Sequence, residues 1–276
     1  MKEIEASVDV FIKKLEEELK DVELFGPLPK REDCPICFLP IPLEARGVVS
    51  LTCCGKRACN GCMHQQMLVS GSISTDQCRY CCPFCRTVHR GDDDALRDYD
   101  SILEKTKRRI EDANDTNAMI TLAECYDNSF HGLEKDDVAS LGLWLRAAME
   151  GNAVAIGKLA TEYQEEGRLT TDTIRGMRLT KVAAKRGMLS AHFNLGVFYS
   201  NKEYNVKMMV KHFSHAAKGG HKNSMQNCKL LRDNGEINED EYNKIKQEFA
   251  ERIRSEWSEE RQKAEEYYQL GAGLRR

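Results

Sequence analysis

Cysteine spacing constrains this chain more than any other feature of its sequence. Ten of the twelve cysteines fall between Cys34 and Cys85, and eight of these form four close pairs. The pairs are Cys34 with Cys37, Cys53 with Cys54, Cys59 with Cys62, and Cys82 with Cys85. A two-residue gap lets one turn of backbone direct two thiolates at a single tetrahedral ion, so four such pairs can hold two Zn²⁺ ions. Because this stretch has few large apolar residues, it needs the roughly 10–16 kcal/mol that a structural zinc contributes in order to fold.

The order of these gaps resembles that of the RING finger. Between successive paired cysteines there are two, fifteen, no, four, two, nineteen and two residues. In that family the first and third pairs hold one zinc, and the second and fourth pairs hold the other. The resemblance therefore implies two zinc ions, one on Cys34, Cys37, Cys59 and Cys62 and one on Cys53, Cys54, Cys82 and Cys85. It also implies a small zinc-stabilised α+β domain over residues 30–90.

The sequence departs from the usual RING pattern at the fourth ligand. Lys56 stands where the family often has a histidine, and a lysine ammonium cannot bind zinc at neutral pH. The adjacent Cys53 and Cys54 supply the missing ligand on this interpretation, which makes the domain similar to all-cysteine RING variants.

Two further cysteines and two histidines leave alternatives open. Cys78 and Cys81 form an extra pair, so Cys78 or Cys81 could replace Cys82 as a ligand. Cys82 is favoured because Cys-Pro-Phe-Cys-Arg is the usual closing motif of a RING. His64 and His89 are reserve ligands, and we interpret them as surface or packing residues because eight cysteines already fill two tetrahedra.

Two other interpretations compete with a RING. A disulfide framework belongs to secreted chains, and the N-terminus has no apolar signal core, so we expect an intracellular, cytoplasmic or nuclear protein. A purely structural zinc module is the second alternative.

Length and charge set outer limits on the chain. The length of 276 residues suggests two domains, and with a net charge of −3 no nucleic-acid partner is expected. No apolar run approaches the roughly 18 residues of a membrane span, so no membrane association is expected.

The N-terminal segment, residues 1–29, is predicted to be an amphipathic helix. Its apolar residues recur at steps of three and four and are Ile4, Val8, Phe11, Ile12, Leu15, Leu19 and Val22. Pro27 and Pro29 end it. We expect it to pack on the chain's own RING or repeats, and a homodimer through this helix is the alternative. Residues 91–112 are predicted to form a charged linker and helix.

An internal repeat of about 36 residues follows. Leu122, Leu159 and Leu195 occupy equivalent positions, and so do Tyr126, Tyr163 and Tyr199. A second signature, Ala-Ala-x-x-Gly, follows each and ends at Gly151, Gly187 and Gly220. Each unit is therefore predicted to form a helix, a turn and a second helix that ends at a glycine in the left-handed conformation.

This pattern resembles the Sel-one-like repeat, a relative of the tetratricopeptide repeat. The segment from Leu143 to Asn152 is the best match, whereas Leu179 and Phe213 replace the family's tryptophan in the later units. The resemblance covers residues 113–235 and implies an α-helical repeat solenoid that binds proteins. Cys125 and Cys228 are interpreted as packing residues, and the histidines of this region as surface or packing residues.

The last segment, residues 236–276, is predicted to be a capping helix and a tail. One helix over residues 239–268 has an apolar stripe that runs from Tyr242 to Trp257. The expected fold class is thus mainly α, with a small α+β RING domain followed by the solenoid.

The RING resemblance implies a ubiquitin ligase, which orients a ubiquitin thioester held by a conjugating enzyme and supplies no nucleophile. Ile36 and Pro83 match positions that contact the conjugating enzyme in that family. Arg86 directly follows the last zinc ligand and matches the catalytic linchpin, whose planar fork can bind ubiquitin and the conjugating enzyme together. The repeats would recruit a protein substrate. The alternative function is a non-catalytic adaptor that uses both parts to bind proteins.

Overall fold

The computed structural model describes residues 2–19, 24–43, 47–69, 80–89, 95–164, 167–201 and 204–269. Cys78, residues 91–94 at the start of the predicted linker, and the tail from residue 271 lie outside these ranges.

Helices dominate the described residues. In chain order the elements are α1 (Lys2–Leu19), β1 (Val48–Ser50), β2 (Arg57–Cys59), α2 (Asn60–Val69), β3 (Tyr80–Cys81), β4 (Val88–His89), α3 (Ala95–Ala113), α4 (Thr116–Asn128), α5 (Asp137–Met149), α6 (Ala153–Glu162), α7 (Thr173–Lys185), α8 (Leu189–Asn201), α9 (Val206–Lys218), α10 (Lys222–Asp233), α11 (Glu239–Glu256) and α12 (Glu259–Gln269).

These elements divide between two compact units that are both discontinuous in sequence. The helical unit combines Met1–Lys30 with Trp144–Ser255. The cysteine-containing unit combines Arg31–Leu143 with Glu256–Arg276.

Helix pairs recur with the period that the sequence predicts. The first helices of the pairs begin at Thr116, Ala153, Leu189 and Lys222, and the second helices begin at Asp137, Thr173, Val206 and Glu239. Within the helical unit, α6 packs on α7, α7 on α8, α8 on α9, and α9 on α10. Such neighbour-to-neighbour packing is typical of helical repeats.

Residues at the repeated positions form the core. Leu159 and Leu195 are fully buried, and so are the alanines that begin each Ala-Ala signature. The predicted glycine stops are confirmed, because Gly151, Gly187 and Gly220 have φ values of 91°, 87° and 101°. Side chains other than glycine rarely adopt this left-handed conformation.

Helix α1 packs on α7 within the helical unit, as the favoured interpretation of the N-terminal segment predicts. Its apolar stripe is buried there, since Val8, Phe11, Ile12 and Leu15 are each no more than 6% exposed. The apolar stripe that a homodimer would bury between two chains is therefore buried within one chain.

The cysteine-containing unit has two small antiparallel sheets. Strand β1 pairs with β2, and β3 pairs with β4. Four of its cysteines share one core cluster with Ile41, Leu51, Ala58, Met63 and Ile102. Ile102 comes from α3, and α12 packs on α2, so helices outside the cysteine stretch complete this unit.

The single predicted helix over residues 239–268 is wrong. The chain forms α11 and α12, with a break at Trp257 and Ser258, and Trp257 is 59% exposed rather than part of an apolar stripe. Ser258 causes the break, because its Oγ accepts the backbone N–H of Arg261 at 3.2 Å and so caps α12. Helix α11 does cap the repeat core, where Tyr242 and Ile245 are buried.

Among the described residues, none of the helices combines the length and the apolar character that a membrane span requires.

Candidate metal centre

The first cysteine cluster joins two pairs that are far apart in sequence. Cys34 and Cys37 lie in a loop closed by a bridge between Asp33 and Pro40. Cys59 ends β2 and Cys62 lies in the first turn of α2. The Sγ atoms of Cys34 and Cys62 are 3.9 Å apart, and those of Cys37 and Cys59 are 3.8 Å apart.

The second cluster joins the other two pairs. Cys53 and Cys54 lie in the turn between β1 and β2, and Cys82 and Cys85 lie in the turn between β3 and β4. The Sγ atoms of Cys54 and Cys82 are 3.7 Å apart, and those of Cys53 and Cys85 are 3.4 Å apart. In each cluster all four sulfur atoms lie within 4.8 Å of one another.

These distances fit a bound metal ion and do not fit disulfides. Zinc–sulfur bonds of about 2.3 Å in a tetrahedron place the ligand sulfurs about 3.8 Å apart. A disulfide would require about 2.05 Å, and the described cysteines are all free. Both clusters can therefore hold a metal ion, and four soft thiolate ligands are the set that structural zinc prefers.

Backbone N–H groups donate hydrogen bonds to sulfur atoms of the first cluster and so favour the thiolate form. The amide of Cys59 donates to the Cys34 Sγ at 3.4 Å, and the amide of Cys62 donates to the Cys59 Sγ at 3.4 Å. Burial raises the pKa of Cys34, but hydrogen bonds from the backbone N–H groups of Cys59, Cys37 and Ile36 and from the Cys37 side chain outweigh it and lower that pKa to about 7. Burial and adjacent thiols raise the pKa of Cys62, so a metal ion must displace a proton there.

The second cluster shows the same contrast. Burial and the neighbouring thiols of Cys85 and Cys82 raise the pKa of Cys53. At Cys85 burial also acts against ionisation, yet hydrogen bonds from Thr87 lower the pKa to about 6. The cluster thus contains thiols that ionise readily and thiols that need a cation to do so.

The alternative ligands were Cys78, Cys81, His64 and His89. Cys82 belongs to the second cluster, whereas Cys78 and the side chains of Cys81 and His89 lie outside the described residues. His64 is buried and its ring packs against that of Tyr267, with centroids 4.9 Å apart, in keeping with a packing role.

Lys56, at the position of the usual histidine, is no ligand of the second cluster. Its ammonium lies 5.0 Å above the ring centre of Phe84, which gives this lysine a cation–π partner.

Two residues that follow the cysteine pairs share an unusual backbone conformation. Arg86 follows Cys85 with φ 61°, and Phe38 follows Cys37 with φ 59°. Each amide donates back to the first cysteine of its pair, Arg86 to the Cys82 carbonyl at 3.0 Å and Phe38 to the Cys34 carbonyl at 2.8 Å. The left-handed conformation is thus part of the turn itself, and it leaves both side chains exposed.

The predicted contact residues lie on the same turns. Ile36 is 39% exposed and Pro83 is half-buried. The structure also exposes apolar side chains that the sequence interpretation did not assign to this contact, namely Phe38 at 77%, Leu68 at 45% and Val69 at 83% exposure. Leu68 and Val69 end α2, and no sequence signal separates them from ordinary helix residues.

Helix α3 supports the second cluster from outside the cysteine stretch. The Arg109 guanidinium donates to the carbonyl of Thr52 at 3.0 Å, immediately before Cys53. The same guanidinium pairs with Asp115 at 2.6 Å, and Asp115 caps α4 by accepting the amides of Asn117 and Ala118. One arginine therefore links the cysteine loop to the first repeat helix.

Cys125 and Cys228 are buried packing residues, as predicted. Burial raises the pKa of each thiol to about 11, so neither is a thiolate nucleophile at neutral pH.

Comparison with known proteins gives structural neighbours only. Neither a scan against protein-family models nor a search of curated proteins found a match. A Sel1 repeat protein from Oxalobacter formigenes is 17% identical, with a TM-score of 0.47, covering 59% of this chain and 80% of that one. A protective antigen of uropathogenic Escherichia coli with an SLR fold is 19% identical, with a TM-score of 0.42, covering 62% and 40%. A Pseudomonas aeruginosa protein is 19% identical, with a TM-score of 0.34, covering 57% and 76%.

Proposed function

We propose that this protein is a RING-type ubiquitin ligase whose cysteine clusters bind two zinc ions and whose helical repeats recruit a protein substrate. The observation that carries the proposal is the interleaving of the cysteine pairs. The first pair meets the third and the second meets the fourth, with sulfur atoms 3.4–3.9 Å apart. Eight cysteines that alternate between two sites are typical of a RING, whereas consecutive pairs at one site are typical of simpler zinc modules.

Zinc would act here as a structural cross-link. It would join the loop of Cys34 and Cys37 to α2, and the turn of Cys53 and Cys54 to the turn of Cys82 and Cys85. The unit has two sheets of two or three residues per strand, which are too small to be stable alone. With these turns fixed, the exposed side chains that a conjugating enzyme contacts would be held in place.

The conjugating enzyme would bind apolar side chains on the cysteine turns. Ile36 and Phe38 are exposed on the first turn, and Pro83 lies on the last. A loop that places apolar side chains in water beside a rigid cluster is suited to a partner that buries them.

Arg86 would contribute to transfer differently. It is exposed, lies directly after Cys85 and has a backbone conformation that the turn imposes. A guanidinium can donate to a carbonyl of ubiquitin and to the conjugating enzyme at once, which restricts the mobile thioester to reactive orientations.

The repeats would provide the substrate surface. Exposed apolar side chains lie along the helical unit and include Val154, Ile174, Tyr204 and Leu230. Stacked helical repeats form extended surfaces, which are suited to binding an extended or helical segment of another protein.

The test is ubiquitin discharge. The full-length protein is mixed with each member of a panel of ubiquitin-loaded conjugating enzymes and free lysine, and loss of the thioester is followed. Acceleration by the wild type is expected, together with a large loss on Ile36→Ala. Val10→Ala is the matched control, because Val10 is also an exposed apolar residue, 69% exposed, but lies on α1. Discharge at the unassisted rate with every enzyme would exclude the ligase and leave the adaptor function.

A further inference from the structure

Arg261, in the first turn of α12, reaches the first cysteine cluster. Its guanidinium donates to the Leu39 carbonyl at 3.2 Å, the Pro40 carbonyl at 2.8 Å and the Cys37 Sγ at 3.5 Å. It also donates to the Glu256 carbonyl at 2.7 Å, and the residue is only 7% exposed. One buried side chain thus holds the half of the loop that follows Cys37.

Helix α12 is held in place by contacts that do not involve this guanidinium. In α2, Gly61 lies so close that a Cβ added to it would be 2.7 Å from the backbone nitrogen of Arg261. The ring of Tyr267 in α12 packs on that of His64 in α2, with centroids 4.9 Å apart. The position of the guanidinium beside the cluster therefore does not depend on its own hydrogen bonds alone.

Arg261 carries a buried positive charge beside the first cluster. Its guanidinium donates to three carbonyl oxygens and one sulfur. A buried guanidinium needs negative charge nearby, since its desolvation is otherwise uncompensated. Four thiolates around one Zn²⁺ would carry a net charge of −2. This negative charge would compensate the buried arginine.

We propose that Arg261 is a positioning residue that α12 supplies to the first cysteine cluster. It stabilises the metal-loaded form through the hydrogen bond to Cys37 and through its charge. Through Leu39 and Pro40 it also orients the turn that presents Ile36 and Phe38. This inference rests on the zinc binding in the proposed function, but not on ubiquitin transfer.

The test measures zinc loss from the full-length protein to a chromophoric chelator. Wild-type protein is expected to release two equivalents, and Arg261→Ala to release one of them about 10–100-fold faster, which is the usual effect of removing an outer hydrogen-bond partner of a metal ligand. Arg261→Lys should be intermediate, because lysine keeps the charge but loses the planar fork. Lys263→Ala is the matched control on the same helix, since Lys263 is exposed and pairs only at the surface with Glu259 at 2.6 Å.

A second readout separates positioning from general support of the fold. In protein loaded with Co²⁺ alone, removal of the N–H···S bond in Arg261→Ala should move part of the thiolate-to-cobalt absorption to lower energy, while Lys263→Ala keeps the wild-type spectrum. Wild-type release and spectrum in Arg261→Ala would overturn the inference, and so would equal acceleration of both equivalents. A wild type that binds no zinc overturns the inference and the proposed function together. A wild type that holds two zinc ions but fails in ubiquitin discharge overturns only the ligase.

Discussion

Replacement of Glu162 by glutamine should destabilise the helical unit by about 3 kcal/mol at neutral pH. Glu162 ends α6 and is only 4% exposed. Its carboxylate accepts two bonds from the Arg168 guanidinium at 2.9 Å and one from the Arg168 amide at 3.1 Å, and it pairs with Lys158 at 2.9 Å. A carboxylate at a helix C-terminus is unfavourable by itself, so these partners are what make the charge stable there.

The magnitude follows from the pKa. Burial raises the pKa of Glu162, but hydrogen bonds from Arg168 and Lys158 outweigh it and lower the value from 4.5 to about 2. A shift of that size corresponds to about 3 kcal/mol of stability. Because the pKa is lower in the folded state, this stability is fully present above pH 4.5 and is lost as the pH falls towards 2.

The assay is urea unfolding of the full-length protein, followed by helical circular dichroism at pH 7 and at pH 3.5. The difference in unfolding free energy between wild type and Glu162→Gln should be about 3 kcal/mol at pH 7 and smaller by about 1–1.5 kcal/mol at pH 3.5. Glu248→Gln is the control, because Glu248 pairs with Lys218 at 2.9 Å where its side chain is 39% exposed. That variant should lose at most about 1 kcal/mol at either pH. A difference below about 1 kcal/mol for Glu162→Gln at pH 7, or one that does not change with pH, would refute the reasoning.

Three further expectations concern the zinc content, the ubiquitin-transfer step and stability at acid pH. Metal analysis of purified protein should give two zinc ions per chain, and Cys59→Ser should lose the first cluster while the repeats stay helical; one zinc in the wild type would contradict the two-site model. Arg86→Ala should leave binding of the conjugating enzyme nearly intact yet slow ubiquitin discharge about 10–100-fold, from the loss of roughly 1.5–3 kcal/mol of charged hydrogen bonds. Arg86→Lys should rescue it poorly, and equal loss of binding and discharge would argue against an orienting role. Burial lowers the pKa of His192 to about 3 and of His212 to about 4, and their Nδ1 atoms are 3.0 Å apart. Because both values are lower than in the unfolded chain, stability should be full above about pH 6.5 and fall between pH 6.5 and 4. His212→Gln should reduce that slope in urea unfolding, and an unchanged slope would mean that other groups cause it.

Features with a local signature could be predicted from the sequence. The positions of Leu159 and Leu195 recur with a fixed period, so their burial follows from the repeat alone. Gly187 has a left-handed backbone because the turn after α7 requires it, and this requirement is visible in the spacing. The grouping of the eight cysteines in space also matches the two sets that the RING resemblance implies, while their zinc binding stays a prediction.

Features that depend on distant contacts could not be predicted. The packing of α12 on α2 joins distant parts of the chain, the contact of Arg261 with Cys37 joins residues 224 positions apart, and neither leaves a periodic trace. The buried His192 and His212 pair arises only where α8 meets α9, and either residue alone resembles a surface histidine. The break before α12 had a signal, since Ser258 followed by two glutamates is a helix start, but the apolar stripe of the preceding helix concealed it.

The separation between Cys37 and Arg261 also sets an order of events during translation. At about 5–20 residues per second, a ribosome needs roughly 11–45 s to add the 224 residues between them. The other six clustered cysteines and the Trp144–Ser255 part of the helical unit are synthesised in that interval, so the first cluster would have to form, or wait, without the arginine that contacts it. A chain that stops between α2 and α12 would therefore contain all four cysteines of the first cluster but lack the Arg261 contact.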